Sequence, residues 1–440
     1  MRGKSPNQQQ LSFCRQNLAD QLNPKHPLYR LAKTIPWDVF DKEFAKHYSH
    51  TGRKAHPVRL MVGLLILKQL RNLSDESVVE RWVENGYYQY FCGMAEFQWE
   101  FPCHPTDLVY FRKRIGEKGV ERILQVSIEL HGKKAQEREI LIDSTVQEKN
   151  ITFPTDTKLY KKIADRCVAI AEEEGVRLRQ SYRRTTKKLI LDQRFRNHPK
   201  NFKKARRSAR KLKTIAGRLV RDVSRKLPEG ILAYYSELLD IFNRVLEQTR
   251  TSPNKIYSLH EPQVYCIGKG KAHKKYEFGA KASIAVTKDS GIIVGAVSHP
   301  TNVHDSKTLV EVISQSSELR GQCPEVAICD KGYRGKSKVG ETRILIPKPS
   351  GKRATPYQRQ KARKRFRRRA GIEPIIGHLK SDYRMFRNYL KGSAGDSINL
   401  MLAAAAFNFK KWMREVAEFF CLFLLSFFLL NSLMQNPEEI

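Results

Sequence analysis

Three carboxylates stand where acids are unusual. Asp143 closes the apolar run Ile140-Leu141-Ile142, Asp330 closes Val326-Ala327-Ile328-Cys329, and Glu373 follows 43 residues later in a segment of helical pattern. An acid at the end of a buried strand faces the rim of a sheet, where ligands usually bind. Oxygens from three separate elements suit hard divalent cations, because Mg²⁺ takes few carboxylates and keeps its other positions for water and phosphate. Two such ions about 3.5–4 Å apart activate an attacking oxygen and steady a leaving one, as phosphodiester chemistry requires. One acid at a strand end is commonly structural. Three in this order point to metal-dependent chemistry.

A second set of groups surrounds Glu373. Phe366, Arg369, Glu373 and Lys380 fall at i, i+3, i+7 and i+14, an arc of about 60° if the helix is continuous. Pro374 cannot donate to the carbonyl of Ala370, so a helix start or kink is predicted there; the Glu373–Lys380 pair survives it, and the placement of Phe366 is less secure. Arg369 offers a planar fork and Lys380 a compact charge for phosphate, although both could be plain surface cations. Asp305, after His304, reads as a helix N-cap rather than a metal ligand. Gly332, Tyr333 and Arg334 turn the chain beside Asp330, where Arg334 could touch DNA; a simple strand-exit turn explains them equally well. Gly268-Lys269-Gly270 lacks the rest of a phosphate loop, so ATP use has no support, and no zinc-protease histidine pair or nucleophile elbow is present.

The elements that must position these residues follow from pattern. Residues 1–135 read as mostly helical, with Pro57 in the first turn of one helix (56–72), Ser74 capping the next, and Thr106 starting another. The tight turn between the first two is compatible with a helix-turn-helix and equally with an ordinary bundle. A strand is predicted at 139–145, then a long basic helical block at 157–250. Strands at 276–286 and 291–299 flank an Asp289-Ser290-Gly291 turn. A helix at roughly 305–317, strands at 325–330 and 343–349, and helices from Gly371 onward complete the chain. Without the basic block the order is that of a ribonuclease-H-like α/β fold, a five-stranded mixed sheet with flanking helices. The predicted domains are 1–135, helical and DNA-binding; 136–156 with 257–412, catalytic; 157–256, a basic helical insertion; and 413–440, a hydrophobic tail.

Charge names the partner class. Lys plus Arg number 81 against 45 acids, a net +36, in a chain 40% hydrophobic and 10% aromatic, which argues for folded structure. Arg177 to Lys226 holds 20 cations and two acids, and Gly351 to Arg369 ten cations and none. A solvated face usually interleaves acids, so phosphate backbone is the better explanation. Lys203, Lys204, Arg206, Arg207, Arg210 and Lys211 are the expected contacts. The eight cysteines form no C-x-x-C pair and the residues before Ile35 have no signal-peptide core, so a reduced, cytoplasmic, nucleoid-associated setting is expected. The apolar run Phe419–Leu430 spans 12 residues, short of the roughly 20 a spanning helix needs. It reads as a buried helix or dimer contact, and membrane association is disfavoured.

Around Glu373 the chain resembles the DDE transposases of bacterial insertion sequences, whose signature is Y-x2-R-x3-E-x6-K. Arg369, Glu373 and Lys380 match it; Phe366 stands where the family has Tyr, so this position has no hydroxyl for phosphate while a stacking role could remain. IDST around Asp143, TNVHDS around Asp305, CDKGYRG around Asp330 and the helical stretch from Pro36 to Trp82 are also similar to family blocks. The resemblance runs from about Pro36 to Trp412 and is strongest after Tyr276. It implies that Asp143, Asp330 and Glu373 hold two Mg²⁺ ions, for which Mn²⁺ substitutes, with Arg369 and Lys380 on phosphate. It implies recognition of terminal inverted repeats in double-stranded DNA, nicking by water, attack of the freed 3′-OH on target DNA, a homodimer holding two ends, and no small-molecule cofactor. A nuclease of the same fold without strand transfer is the alternative. A catalytically silent DNA-binding protein is the other, and the presence of all three acids argues against it.

Overall fold

A computed structural model describes residue 3 and residues 17–49, 51–52, 54–268, 275–347 and 355–435; side chains at 361, 362, 365 and 417–435 lie outside that description. In chain order it contains helices α1 (Leu18–Gln21), α2 (Pro27–Thr34), α3 (Trp37–Phe44), α4 (Val58–Leu70), α5 (Asp75–Glu84), α6 (Gly86–Phe91) and α7 (Pro105–Glu129), then strand β1 (Glu139–Lys149). Helices α8 (Asp156–Glu173), α9 (Arg183–Leu191), α10 (Pro199–Lys226) and α11 (Glu229–Glu247) follow, with strands β2 (Tyr265–Gly268), β3 (Tyr276–Thr287) and β4 (Ile293–His299). The rest is α12 (Asp305–Arg320), β5 (Val326–Ile328), β6 (Lys338–Val339), β7 (Thr342–Leu345), α13 (Pro356–Arg369), α14 (Ile372–Ser381), β8 (Arg387–Asn388) and α15 (Gly392–Gln435). The chain divides into two compact units, one of 1–148 with 280–440 and one of 149–279.

The first unit is built on a mixed α/β core. Its strand order is β3-β1-β5-β7-β6, with β4 on β3 and β8 on β1; β1–β5 and β5–β7 are parallel, and β3–β4 and β6–β7 antiparallel, while β2 pairs with the first residues of β3 within the second unit. Eight strands replace the expected five, since β2, β6 and β8 are two to four residues long and too short to show a period. Ile140, Leu141 and Ile142 are buried in β1, as a continuous apolar run in a parallel strand should be. Helix α15 packs on α7, α4 and β4, and its buried Ala403–Ala406 run allows close approach. Its backbone continues through the expected hydrophobic tail, whose side chains fall outside the described residues. Among the described residues no helix is long and apolar enough to cross a membrane.

Helix α7 begins at Pro105, one residue before the expected Thr106, with His104 as its cap in a reciprocal pair with Asp107. Helix α4 is buried at every position except Arg59, and α5 turns Glu76, Glu80, Arg81 and Glu84 outward. Helix α4 is thus enclosed in the core, and the exposed face of α5 carries three acids and one cation.

The second unit has its own core, formed by the apolar faces of α8, α9, α10 and α11. Leu212, Ile215, Leu219 and Val223 line the inner side of α10. Its outer side carries Lys203, Lys204, Arg206, Arg207, Arg210 and Lys211, all exposed, over an arc of about 160° at 100° per residue.

Candidate active site

Asp143 and Asp330 arrive by the same device. Strands β1 and β5 run parallel in the register Leu141↔Ile328, and extending it by two residues sets Asp143 beside Asp330. Asp330 follows the end of β5, whereas β1 runs on to Lys149, so Asp143 lies within its strand and the expected strand-end position is corrected. Asp330 caps a 3-10 turn, accepting from the Gly332 N–H at 2.8 Å. A side chain at 332 would crowd the carboxylates: its Cβ would lie 3.0 Å from Asp330 Oδ1 and 3.1 Å from Asp305 Oδ2, so both would have to shift by a few tenths of an ångström. Glycine therefore lets two carboxylates close on one turn.

Asp305 belongs to this cluster, and the N-cap expectation is corrected. His304 caps α12, accepting from the Ser306 N–H, while Asp305 occupies the first helical position. Asp305 Oδ1 accepts from Ser144 Oγ at 2.7 Å and pairs with Lys281 Nζ at 2.6 Å. Lys281 also donates to the Val303 carbonyl. The Tyr333 ring is fully buried, its hydroxyl beside Ser144 without a well-formed hydrogen bond. Burial first, and then the charges of Asp305 and Asp143, push that phenol well above its ordinary range. Burial and the neighbouring acids Asp330 and Asp143 raise the Cys329 thiol, so it stays neutral and structural.

Glu373 comes from the far side of a helix break. Helix α13 ends at Arg369, Gly371 caps α14, and Pro374 sits in the first turn of α14, where its missing N–H has no intrahelical partner to lose. The four signature positions therefore do not share one continuous helix. Arg369 bridges the break chemically: its guanidinium lies 3.4 Å from Asp143 Oδ2 and 3.6 Å from Glu373 Oε1. Phe366 instead packs half-buried against the core. Lys380 is half-buried in the last turn of α14, and Arg334 is exposed just after the Asp330 turn.

The donor set is all oxygen, with Arg369 against Asp143 and Glu373 and Lys281 against Asp305, which fits a hard divalent ion in chemistry. Among the described residues no three His, Cys, Asp or Glu side chains stand close enough to share an ion; Arg369 lies between Asp143 and Glu373. The Glu373 side chain is 64% exposed.

Sequence reasoning missed Ser144 and Lys281, and took Tyr333, here fully buried, as part of a turn that could touch DNA. A lysine within the apolar strand pattern of 276–286 was the available signal for Lys281, since a buried cation needs an anion. In the second unit, Lys204 pairs with Asp192 at 2.9 Å, so one of the six expected DNA cations is partly neutralised.

Comparison with known proteins adds an independent line. Residues 16–114 match the family described as "Transposase domain (DUF772)", and residues 249–409 the family described as "Transposase DDE domain". A Rhizobium meliloti protein, "Uncharacterized protein ORF8 in nfe locus", is 42% identical over 207 residues, which cover 46% of this chain and 100% of that protein. No solved structure matches the chain.

Proposed function

The chain belongs to the DDE transposase family of insertion sequences, and from that premise we propose that it binds the terminal inverted repeats of its element and cuts and joins DNA through Asp143, Asp330 and Glu373. DNA is the substrate class of the family. The observation that carries the residue assignment is the convergence at one place: Asp143 within β1 and Asp330 just after the adjacent parallel β5, and Arg369 touching both Asp143 and Glu373.

In this reading the three acids hold divalent cations, two Mg²⁺ by preference. When bound, those ions would supply activation of an attacking oxygen and stabilisation of a leaving one. Arg369 keeps Asp143 and Glu373 from repelling each other and presents donors to a phosphate at the rim. Lys380 and Arg334 add charge along the path of the backbone. Lys281 and Ser144 fix Asp305, and Asp330 holds the Gly332 turn. Residues 136–156 and 257–412 form a ribonuclease-H-like catalytic domain, 1–135 is the helical N-terminal part, and the exposed cations of α10 grip phosphates without reading sequence. A homodimer holding two ends completes the proposal.

The test uses a labelled linear duplex carrying one element end, with metal added last. Asp143→Asn, Asp330→Asn and Glu373→Gln should each lose nicking and joining yet still bind the end. Mn²⁺ should replace Mg²⁺, whereas Ca²⁺ should allow binding with little cleavage. A variant that cuts at close to the unsubstituted rate removes its residue from the site.

A further inference from the structure

The second unit contains a cleft of about 730 Å³ that combines cations with aromatic rings. This volume lies within the range of ligand clefts, about 300–1,000 Å³. One wall is a stripe of α10. Phe202, Arg206, Ala209 and Lys213 follow one another at i, i+4, i+7 and i+11, so they share a face. The small side chains of Ala205 and Ala209 leave room behind an exposed ring and a row of charges. The opposite wall is aromatic. Phe153 stands edge-on to Phe278 at 5.6 Å, and Phe278 meets Tyr257 at 5.2 Å; Phe153 and Tyr257 face the cleft.

Two features set this cleft apart from a basic helix face. First, Phe153 and Phe202 are 63% and 56% exposed, although a folded unit with a complete core gains nothing by holding phenyl rings in water. Second, the charge is available. Asp156, the acid in the lining, pairs with Lys255 at 2.9 Å, while Arg206, Arg210 and Lys213 have no carboxylate partner among the described residues.

Phosphates of a closed duplex would use the cations but leave the rings idle, because paired bases hide their faces. Exposed rings beside a phosphate track suit unstacked bases. We propose that this cleft binds an unpaired stretch of DNA, stacking a base on Phe202 or Phe153 while Arg206, Arg210 and Lys213 hold the flanking phosphates. The inference deepens the reading of the chain as a DNA-acting protein and rests on it. A cutting enzyme creates strand ends, and a pocket that retains a frayed or displaced strand would keep such an end from leaving.

The test is equilibrium binding of the full chain, at fixed salt and without divalent metal, to a fluorescent single-stranded oligodeoxynucleotide and to the same sequence as a blunt duplex. Base–aromatic stacking contributes about 1–3 kcal/mol per base, so Phe202→Ala and Phe153→Ala should each weaken single-strand binding by roughly 5- to 150-fold. Duplex binding should stay within about twofold, because interactions with phosphate supply it. Phe202→Trp should restore single-strand affinity, and Tyr234→Ala, an exposed ring of α11 outside the cleft, should change neither. Equal losses on both probes, no loss in either Phe→Ala variant, or competition by a mononucleotide as strong as by the oligonucleotide would overturn the proposal. The Asp143→Asn chain separates it from the catalytic reading: it should keep full single-strand preference whether or not it still cuts.

Discussion

Placing Asn at position 305 strips the counter-charge from Lys281, and the consequence can be worked out from the burial of the pair. The Lys281 side chain is 9% exposed and that of Asp305 28%. The substitution leaves a nearly enclosed ammonium with the Val303 carbonyl dipole in place of an anion. Breaking a buried pair on one side costs about 3–5 kcal/mol, and the partial exposure of Asp305 favours the lower end. The first unit holds about 310 residues, and at about 2.1 cal/mol/K per residue its unfolding entropy makes 1 kcal/mol equal to roughly 1.5 °C. Asp305→Asn should therefore lower the melting temperature of that unit by roughly 5 °C. Lys281→Met should cost less, about 1.5–3 kcal/mol, because Asp305 keeps the Ser144 hydroxyl and access to water. The double variant removes both charges and should lose clearly less than the two singles together. Differential scanning calorimetry at constant salt measures all three. If the double loss equals the sum of the singles to within about 0.5 kcal/mol, the two groups are not coupled and the account of this cluster is wrong.

Three further outcomes follow from other parts of the molecule. Arg369→Ala should slow cutting by roughly a hundredfold, measured in single turnover, without loss of end binding. Asp75 receives both guanidinium nitrogens of Arg112 at 2.8 and 2.7 Å and Lys68 at 2.8 Å; burial raises its carboxyl, but these partners outweigh it and bring it down to about 2 from 3.8. Its folded value is the lower one, so the stability it contributes, roughly 2 kcal/mol, is present above pH 3.8 and lost as pH falls through 2. Asp75→Ala should destabilise at neutral pH by about 3–5 kcal/mol, and the difference between it and the parent should shrink in acid titrations. Replacing Lys203, Arg206, Arg207 and Arg210 together should make the plot of log K against log salt shallower by about 0.9 for each duplex phosphate that is no longer neutralised; an unchanged slope would make this face merely solvated.

Much of the architecture was legible because the relevant signals are local. Strand β1 and the β3–β4 hairpin announce themselves by apolar runs and an Asp-Ser-Gly turn, and the basic block by its charge imbalance. What pattern could not supply was the short strands, since two residues carry no period, and the fate of α4. A strongly apolar helix followed by a tight turn reads the same whether it is enclosed or presented to DNA. The difference lies in α15, more than 320 residues later in the chain, packing over it.

The site divides along the same line. The acids were found because an apolar run leads up to each, although β1 continues past Asp143 to Lys149, and register then puts Asp143 beside Asp330. Their supporting cations come from separate elements. Lys281 reaches Asp305 from a neighbouring strand, and Arg369 reaches Asp143 across 226 positions of sequence. Nothing in the spacing of either residue encodes the pairing. Yet electrostatics demands such partners once the acids are placed, because carboxylates gathered in a poorly hydrated rim repel one another unless positive charge or hydrogen-bond donors offset them. Finding three acids at one sheet edge is therefore also a prediction that cations stand behind them, and a buried lysine in a strand pattern is the first place to look. Asp305 illustrates the converse. Its place before a helix suggests a cap, but the histidine before it performs that task, which lets the carboxylate join the site.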